Sequence, residues 1–483
     1  MTAEIRNLQP NALWNNFADI NAIPRPSKKE DKIREFMVSF GKKHNFYTIV
    51  DPAGNVIIKK PATKGMENRK TVVMQSHLDM VCQKNNDTDF DFDSQGINMY
   101  IDGDWVTAKG TTLGADNGLG VAAIMSVFAA TDIAHPALEA LFTIDEETGM
   151  TGALGLQGGY LDGEILLNLD TEDDDEIAIG CAGGIDITAT KSYEMAPVKE
   201  GSSAYKIVVK GLRGGHSGID IDKGFGNANK IMNRMLFALG DAMLIAEIDG
   251  GSLRNAIPRE SSAIIVAEDA DKIMSIYQQA SLDIVKEYQT IEQDLNISIE
   301  QVSVPQNTLS KPQQDVFIKT VYTIHNGVFR MSPDMENLVE TSNNLARVVL
   351  KDGEIKILSL TRSATEIGKM DMAYQIQSGL QLGGFEVELG GSYPGWKPNS
   401  DSKILKVLVD IYQGIFTTKP KIIAYHAGLE CGILGTNYPE MDMISFGPTI
   451  KRAHSPDERA CISSTQKFWK YLLEILKNIP ERS

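Results

Sequence analysis

Three short apolar runs set what this chain can fold into, because each stops at a side chain of the kind that ligates metals. Thr71-Val-Val-Met-Gln-Ser-His77-Leu-Asp79 reads as a buried strand of parallel type ending in His77, with Asp79 two residues on and, in extended chain, pointing the same way. Leu138-Glu-Ala-Leu-Phe-Thr-Ile144 runs directly into Asp145-Glu146-Glu147, and Ile165-Leu-Leu-Asn-Leu169 ends in Asp170. Helical spacing occupies residues 8–47, broken at Ile23-Pro-Arg-Pro-Ser, and a short strand pair turns at Asp51-Pro-Ala-Gly. The pattern predicts an α/β fold with a mixed, mostly parallel sheet flanked by helices, and in such sheets sites form at the carboxyl ends of the strands. Asp116 joins them from the Gly-rich loop Gly110-Thr-Thr-Leu-Gly-Ala-Asp116-Asn117, which opens an apolar, Ala-rich helix.

One histidine with several carboxylates suits Zn²⁺, Mn²⁺ or Co²⁺ rather than a thiolate structural site. A carboxylate such as Asp116 can bridge two ions roughly 3.5–4 Å apart. Of two adjacent glutamates, one can bind metal while the other takes a proton from water. A second histidine, His454, stands in the loop Gly447-Pro-Thr-Ile-Lys-Arg-Ala-His454-Ser-Pro-Asp-Glu458, ahead of an amphipathic helix at 463–477. Plainer readings exist for each residue alone: His-x-Asp as a coincidence, Asp116 or Asn117 as a helix cap, His454 as a surface histidine. The acidic run from Asp170 to Glu176 reads as a solvated face apart from Asp170, and His135 and His426 read as structural.

At 483 residues, 42% apolar and 23% charged, the chain has room for two or three domains. A net charge of −17 argues against a nucleic-acid backbone or an anionic membrane as partner. No signal-peptide pattern and no run near 18 apolar residues occurs, and the four cysteines (Cys82, Cys181, Cys431, Cys461) are scattered, so a cytoplasmic protein with free thiols is expected. Residues 187–391 carry strands and helices of their own, with a weak echo between Gly251-Ser-Leu-Arg-Asn-Ala and Thr341-Ser-Asn-Asn-Leu-Ala that suggests two related α/β halves.

The ordered set His77-x-Asp79, Asp116-Asn117, Glu146-Glu147, Asp170 and His454 resembles the di-zinc metallopeptidase family that contains aminoacylase, carboxypeptidase G and carnosinase. The likeness runs nearly end to end. Asn168-Leu-Asp170, Gly211-Leu-Arg-Gly-Gly-His216-Ser-Gly, His426-Ala-Gly-Leu-Glu430-Cys and Gly447-Pro-Thr-Ile look like its dipeptidases. The resemblance implies a catalytic domain in two parts, 1–186 and 392–483, around an inserted α/β lid domain at 187–391. It implies two divalent ions, Zn²⁺ first with Mn²⁺ or Co²⁺ possible: His77 and Asp170 on one, Glu147 and His454 on the other, Asp116 between. Glu146 would be the general base, Asp79 would orient His77, and the Asp116–Asn117 peptide is often cis in the family. His216 would stabilise the tetrahedral oxyanion, Asn255 and Arg362 would hold the substrate backbone and carboxylate, and Glu430 its α-ammonium group. The implied reaction is hydrolysis of dipeptides with a free amino end, Xaa-His dipeptides such as β-Ala-His included, by a cytoplasmic homodimer.

Two rivals keep the same residues. An N-acyl-amino-acid amidohydrolase would want an acylated amino end, against which Glu430 argues; a metal-storage protein would use the carboxylates without chemistry.

Overall fold

The computed structural model describes residues 2–482. They form two compact units: residues up to Gly180 with Pro398–Ala424 and the chain from Leu429 onward, and Cys181–Lys397 with Tyr425–Gly428.

The first unit is built on an eight-stranded mixed sheet in the order Tyr47–Val50, Val56–Lys60, Leu138–Thr143, Val72–His77, Ile165–Asn168, Asp442–Ser445, Glu176–Cys181, Lys421–Tyr425. Its centre is parallel: Val72–His77 lies between Leu138–Thr143 and Ile165–Asn168, and Asp442–Ser445 continues in the same sense. Parallel strands are covered on both faces, which is why every residue of Val72–His77, Leu138–Thr143 and Ile165–Asn168 is buried. The three strands that end in ligand-type side chains are therefore neighbours. The helix Ala115–Ala129 is apolar all round and almost wholly buried, as expected for a helix with no solvent face. Its Gly120 is required by packing, since a Cβ there would collide with Ser76 Oγ, Asn117 Oδ1 and the carbonyl of Leu169.

The helical expectation near the start resolves into Asn11–Asn21 and Asp31–Lys43, and the strand pair that follows is antiparallel in register Tyr47 with Lys59. Its turn is closed by Asp51, whose Oδ1 accepts from the N–H groups of Gly54 and Asn55 at 2.8 Å each. One expectation is corrected. The acidic run after Asp170 is a solvated face only in part: Asp173, Asp174 and Asp175 meet Lys451, Lys467 and Lys421 at 2.5, 2.6 and 3.0 Å, and burial pushes the Glu172 carboxyl up to about 8. The carbonyl of Glu172 accepts from Ile450 N–H at 3.0 Å, so the segment is held against the His454 loop. None of the four cysteines is in a disulfide, and no described helix is long and apolar enough to cross a membrane.

The second unit carries an antiparallel sheet in the order Asn296–Val302, Ser203–Lys210, Ser261–Ala267, Leu244–Gly251, Val339–Lys351, Glu354–Ser363, Gly183–Ser192, Glu386–Tyr393. The order is mirrored about the central pair. In each half a hairpin leads into a helix, Ala270–Tyr288 or Glu366–Leu382, and then into an edge strand. The sequence echo does not mark equivalent positions, because Ser252 to Ala256 follow a strand whereas Thr341 to Ala346 lie inside one. One face of the sheet is closed by helices through Ile231, Met235, Leu236, Phe317, Met372 and Ile376, packed with Ile207, Ile265 and Ile357 into one core.

The helix Ala228–Leu239 in that core is capped by buried Asn227, which accepts from the N–H groups of Asn229 and Lys230 at 3.0 and 3.2 Å and donates to the carbonyl of Leu345 at 3.1 Å. Asn227→Ala removes the cap and one of the two side-chain bonds to the Leu345 carbonyl, which keeps Asn229 Nδ2 at 3.3 Å. It is expected to destabilise the second unit by about 2 kcal/mol, read as a lower urea midpoint with an unchanged slope.

Candidate metal centre and active site

The site begins where Val72–His77 leaves the sheet. His77 is 1% exposed, and its Nδ1 lies 3.3 Å from Asp79 Oδ1 and 3.1 Å from the Asp79 carbonyl, so Nε2 faces the other way. Asp79 is itself held by the next strand's end: Oδ1 accepts from Glu146 N–H at 3.1 Å, and Oδ2 from Glu147 N–H at 3.2 Å and Ser27 Oγ at 2.7 Å. One carboxylate thus fixes both the imidazole and the backbone that presents the glutamate pair. Burial alone would raise the Asp79 carboxyl, but the bonds from His77, Ser27 and Glu146 hold it at about 2.

Asp116 stands between two histidines. Its Oδ1 is 3.1 Å from His77 Nε2, and its Oδ2 is 3.1 Å from His454 Nε2, which also lies 3.1 Å from Glu147 Oε2. Asp170 Oδ1 is 3.6 Å from His77 Nε2 and accepts from Asn117 Nδ2. Ligand-type atoms of His77, Asp116 and Asp170 fall within 4.8 Å of one another, and so do those of Asp116, Glu147 and His454, and of His77, Glu146 and Glu147. The two triads that share Asp116 use opposite oxygens of its carboxylate. Asp116 and Asn117 keep extended or bridge backbone angles rather than helical ones, and the peptide between them is cis. His454 is presented at a positive φ of 63° from the loop before the last helix.

The charges do not balance within the protein. Burial first, and then neighbouring carboxylates, push the Glu146 and Asp170 carboxyls well above their ordinary range and raise Glu147 as well, while His77 opposes the shift at all three. Asp116 is drawn down against its own burial by His454 and His77, and the bonds to Asp116 and Glu147 lift His454 to about 11. Glu147 Oε1 is buried with no hydrogen-bond partner. Hard oxygen donors beside two imidazoles, with one donor atom unspent, fit a pair of divalent cations.

Beneath the ligands a buried polar ladder crosses the parallel strands. Thr171 and Ser445 share a hydrogen bond of 2.7 Å, Ser445 Oγ donates to Asn168 Oδ1 at 2.5 Å, and Asn168 Nδ2 donates to Gln75 Oε1 at 2.5 Å. Gln75 Nε2 and Thr143 Oγ1 both donate to Glu430 Oε2, at 2.6 and 2.7 Å. Glu430 is fully enclosed, its Oε1 has no partner, and burial raises its carboxyl to about 7.

In the second unit Ser217 gathers the other three expected residues. His216 Nδ1 accepts from the N–H groups of Gly218 and Ile219 at 3.2 and 3.1 Å, which leaves a neutral ring's proton on Nε2 as a donor. Ser217 N–H donates to the carbonyl of Asn255 at 2.8 Å, and the Asn255 side chain is exposed. Arg362, 4% exposed, donates from Nη1 to Tyr393 Oη at 2.7 Å and from Nε to Ser217 Oγ at 3.4 Å. His426 is buried, its Nε2 pairs with Ser342 Oγ at 2.7 Å, and burial lowers its pKa to about 3. His135 is likewise buried, with Nδ1 against the carbonyl of Pro136 at 2.7 Å. Sequence patterns single out neither Arg25 nor Glu458, two buried charged residues at the metal centre. Arg25 sits between two prolines, and Glu458 is one of two adjacent acids behind His454.

Known proteins resemble this chain over nearly its whole length. The chain is 43% identical over 484 residues to the cytosol non-specific dipeptidase of Escherichia coli (strain K12), covering 99% of this chain and all of that one. It is similar to the crystal structure of aminoacylhistidine dipeptidase from Vibrio alginolyticus, with a TM-score of 0.91, 45% identity and 99% of each chain covered. The aminopeptidase PepT from Bacillus cereus shares the fold alone, at 14% identity and a TM-score of 0.58 over 98% of this chain and 99% of that one. Residues 73–478 match peptidase family M20/M25/M40. The chain belongs to that family of metal-dependent peptidases, and the paired triads around Asp116 are its candidate metal centre.

Proposed function

We propose that this protein is a cytosolic dipeptidase that hydrolyses dipeptides with a free amino end, Xaa-His dipeptides such as β-Ala-His among them. The observation that carries the reading is Asp116, whose two oxygens each lie 3.1 Å from a different histidine, in a chain similar over its whole length to two dipeptidases. His77 and Asp170 would hold one divalent cation and Glu147 and His454 the other, with Asp116 available to both; Zn²⁺ is the first candidate, and Mn²⁺ or Co²⁺ accept the same donors. When bound, such ions polarise the scissile carbonyl and make water acidic enough to be deprotonated at neutral pH.

The rest is done by the chain. Glu146 takes the proton of the attacking water on its carboxylate and returns it to the leaving amine. Asp79 keeps His77 in the tautomer that presents Nε2. His216 donates from Nε2 to the carbonyl oxygen as it gains charge. Arg362, braced by Tyr393 and Ser217, pairs with the substrate carboxylate, Asn255 holds its backbone, and the unspent Oε1 of Glu430 accepts from its ammonium group. The inserted domain at 187–391 serves as the lid, and the protein works as a homodimer, for which sedimentation at twice the chain mass is the expected outcome.

Three measurements test this. Glu146→Gln is expected to lower kcat by about 10²–10⁴-fold with metal content unchanged; full turnover in the variant would remove Glu146 from the mechanism. Arg362→Ala is expected to raise KM for dipeptides at least about tenfold, since a hydrogen bond to a charged group contributes about 1.5–3 kcal/mol. Metal-stripped protein is expected to be inactive on β-Ala-His, Gly-His and Leu-Gly, to recover with Zn²⁺, Mn²⁺ or Co²⁺, and to reject N-acetyl dipeptides. Preference for the acetylated substrates would instead make it an amidohydrolase.

A further inference from the structure

Asp116 serves both triads only if its backbone is held still, yet the turn that carries it has no side-chain cap of its own. Gly114 occupies the cap position at φ 71° and makes no capping bond. The four N–H groups of residues 113–116 are taken up from far along the chain. Glu458 Oε2 accepts from Leu113 and Gly114 N–H at 2.7 and 2.9 Å, and Oε1 from Ala115 and Asp116 N–H at 2.7 and 3.3 Å. The carboxylate is 2% exposed.

The carbonyl side of the same turn is held by Arg25, 1% exposed, whose Nη2 donates to the Gly114 carbonyl at 2.5 Å. Its Nη1 donates to the carbonyls of Leu78 and Asp79, both at 3.0 Å. A Cβ at Gly114 would come within 2.5 Å of Arg25 Nη2 and 2.8 Å of Met80 Sδ, so the close approach also requires glycine. Arg25 thus ties the strand end bearing His77 to the turn bearing Asp116, and Glu458, four residues after His454, ties that turn to the loop bearing the second histidine.

We infer that Glu458, together with Arg25, is a positioning residue that fixes the Asp116 turn between the two histidines and so sets the metal affinity of both triads. This rests on the reading of Asp116 as a shared ligand. The chemistry is specific to a carboxylate, because each oxygen accepts two N–H groups. A glutamine would set an NH₂ donor against two backbone donors and leave both unmatched.

The test is metal binding by metal-stripped, full-length protein, measured by chelator competition with Zn²⁺ and by the visible spectrum of the Co²⁺ form. Leu472→Ala, which opens a cavity in the first unit's core, is the destabilised control. Glu458→Gln is expected to bind about 10–100-fold more weakly at both sites, with an altered Co²⁺ spectrum, while Leu472→Ala melts lower but keeps wild-type affinity. Glu458→Gln that melts lower with wild-type affinity and spectrum would overturn the inference. Should Glu458→Gln fail to fold, Arg25→Lys, which keeps the charge but loses the fork, carries the same two outcomes. A wild-type protein that binds no metal would overturn the ligand assignment itself, a result distinct from a variant that matches a metal-binding wild type.

Discussion

Repulsion between like charges taken out of water is the constraint on which this structure turns. Asp116, Glu146, Glu147 and Asp170 converge around two imidazoles, and at an effective dielectric of about 20 two unit charges about 4 Å apart repel by roughly 4 kcal/mol. A chain left to itself would splay such groups apart. They stay together because their backbone is fixed before their side chains meet. Three adjacent parallel strands end at one level, Asp79 collects the N–H groups that follow the second of these, and Glu458 collects those of the Asp116 turn. Bound divalent cations would convert the repulsion into coordination.

The second unit meets a different demand. Its antiparallel sheet buries one face against helices and keeps a polar cluster at Ser217, Arg362 and Tyr393, where a guanidinium is held by two neutral oxygens and no carboxylate. An arginine paired with a carboxylate of its own would have no charge to offer a ligand. Leaving it bonded only to hydroxyls preserves that charge at the cost of burying it, which fits recognition of an anionic group better than a purely structural bridge.

Much of this was legible in the sequence, for physical reasons that differ by residue. Parallel strands must be apolar throughout, so runs such as Val72-Val73-Met74 and Ile165-Leu166-Leu167 announce themselves, and the polar residues that stop them mark the sheet's functional edge. The acidic run misled because composition alone cannot reveal that Lys421, Lys451 and Lys467 arrive from elsewhere in the chain to pair with it. Arg25 and Glu458 were illegible for a similar reason. Apart from Asn21 Oδ1 beside Arg25, their partners are main-chain groups about 53–89 and 342–345 residues away, and a backbone N–H or carbonyl has no identity that a sequence could show. The polar ladder from Thr171 to Glu430 is hidden in the same way, as single polar residues in strands that otherwise read as core.

The central claim is that one carboxylate, Asp116, is shared by two metal ions. Crystals of the metal-loaded protein, with anomalous scattering recorded at the Zn²⁺ or Co²⁺ edge, test it most directly. The account predicts two peaks roughly 3.5–4 Å apart, one beside His77 and Asp170 and the other beside Glu147 and His454, each bonded to a different oxygen of Asp116. A single peak, or two peaks of which either lies out of bonding reach of Asp116, would contradict it.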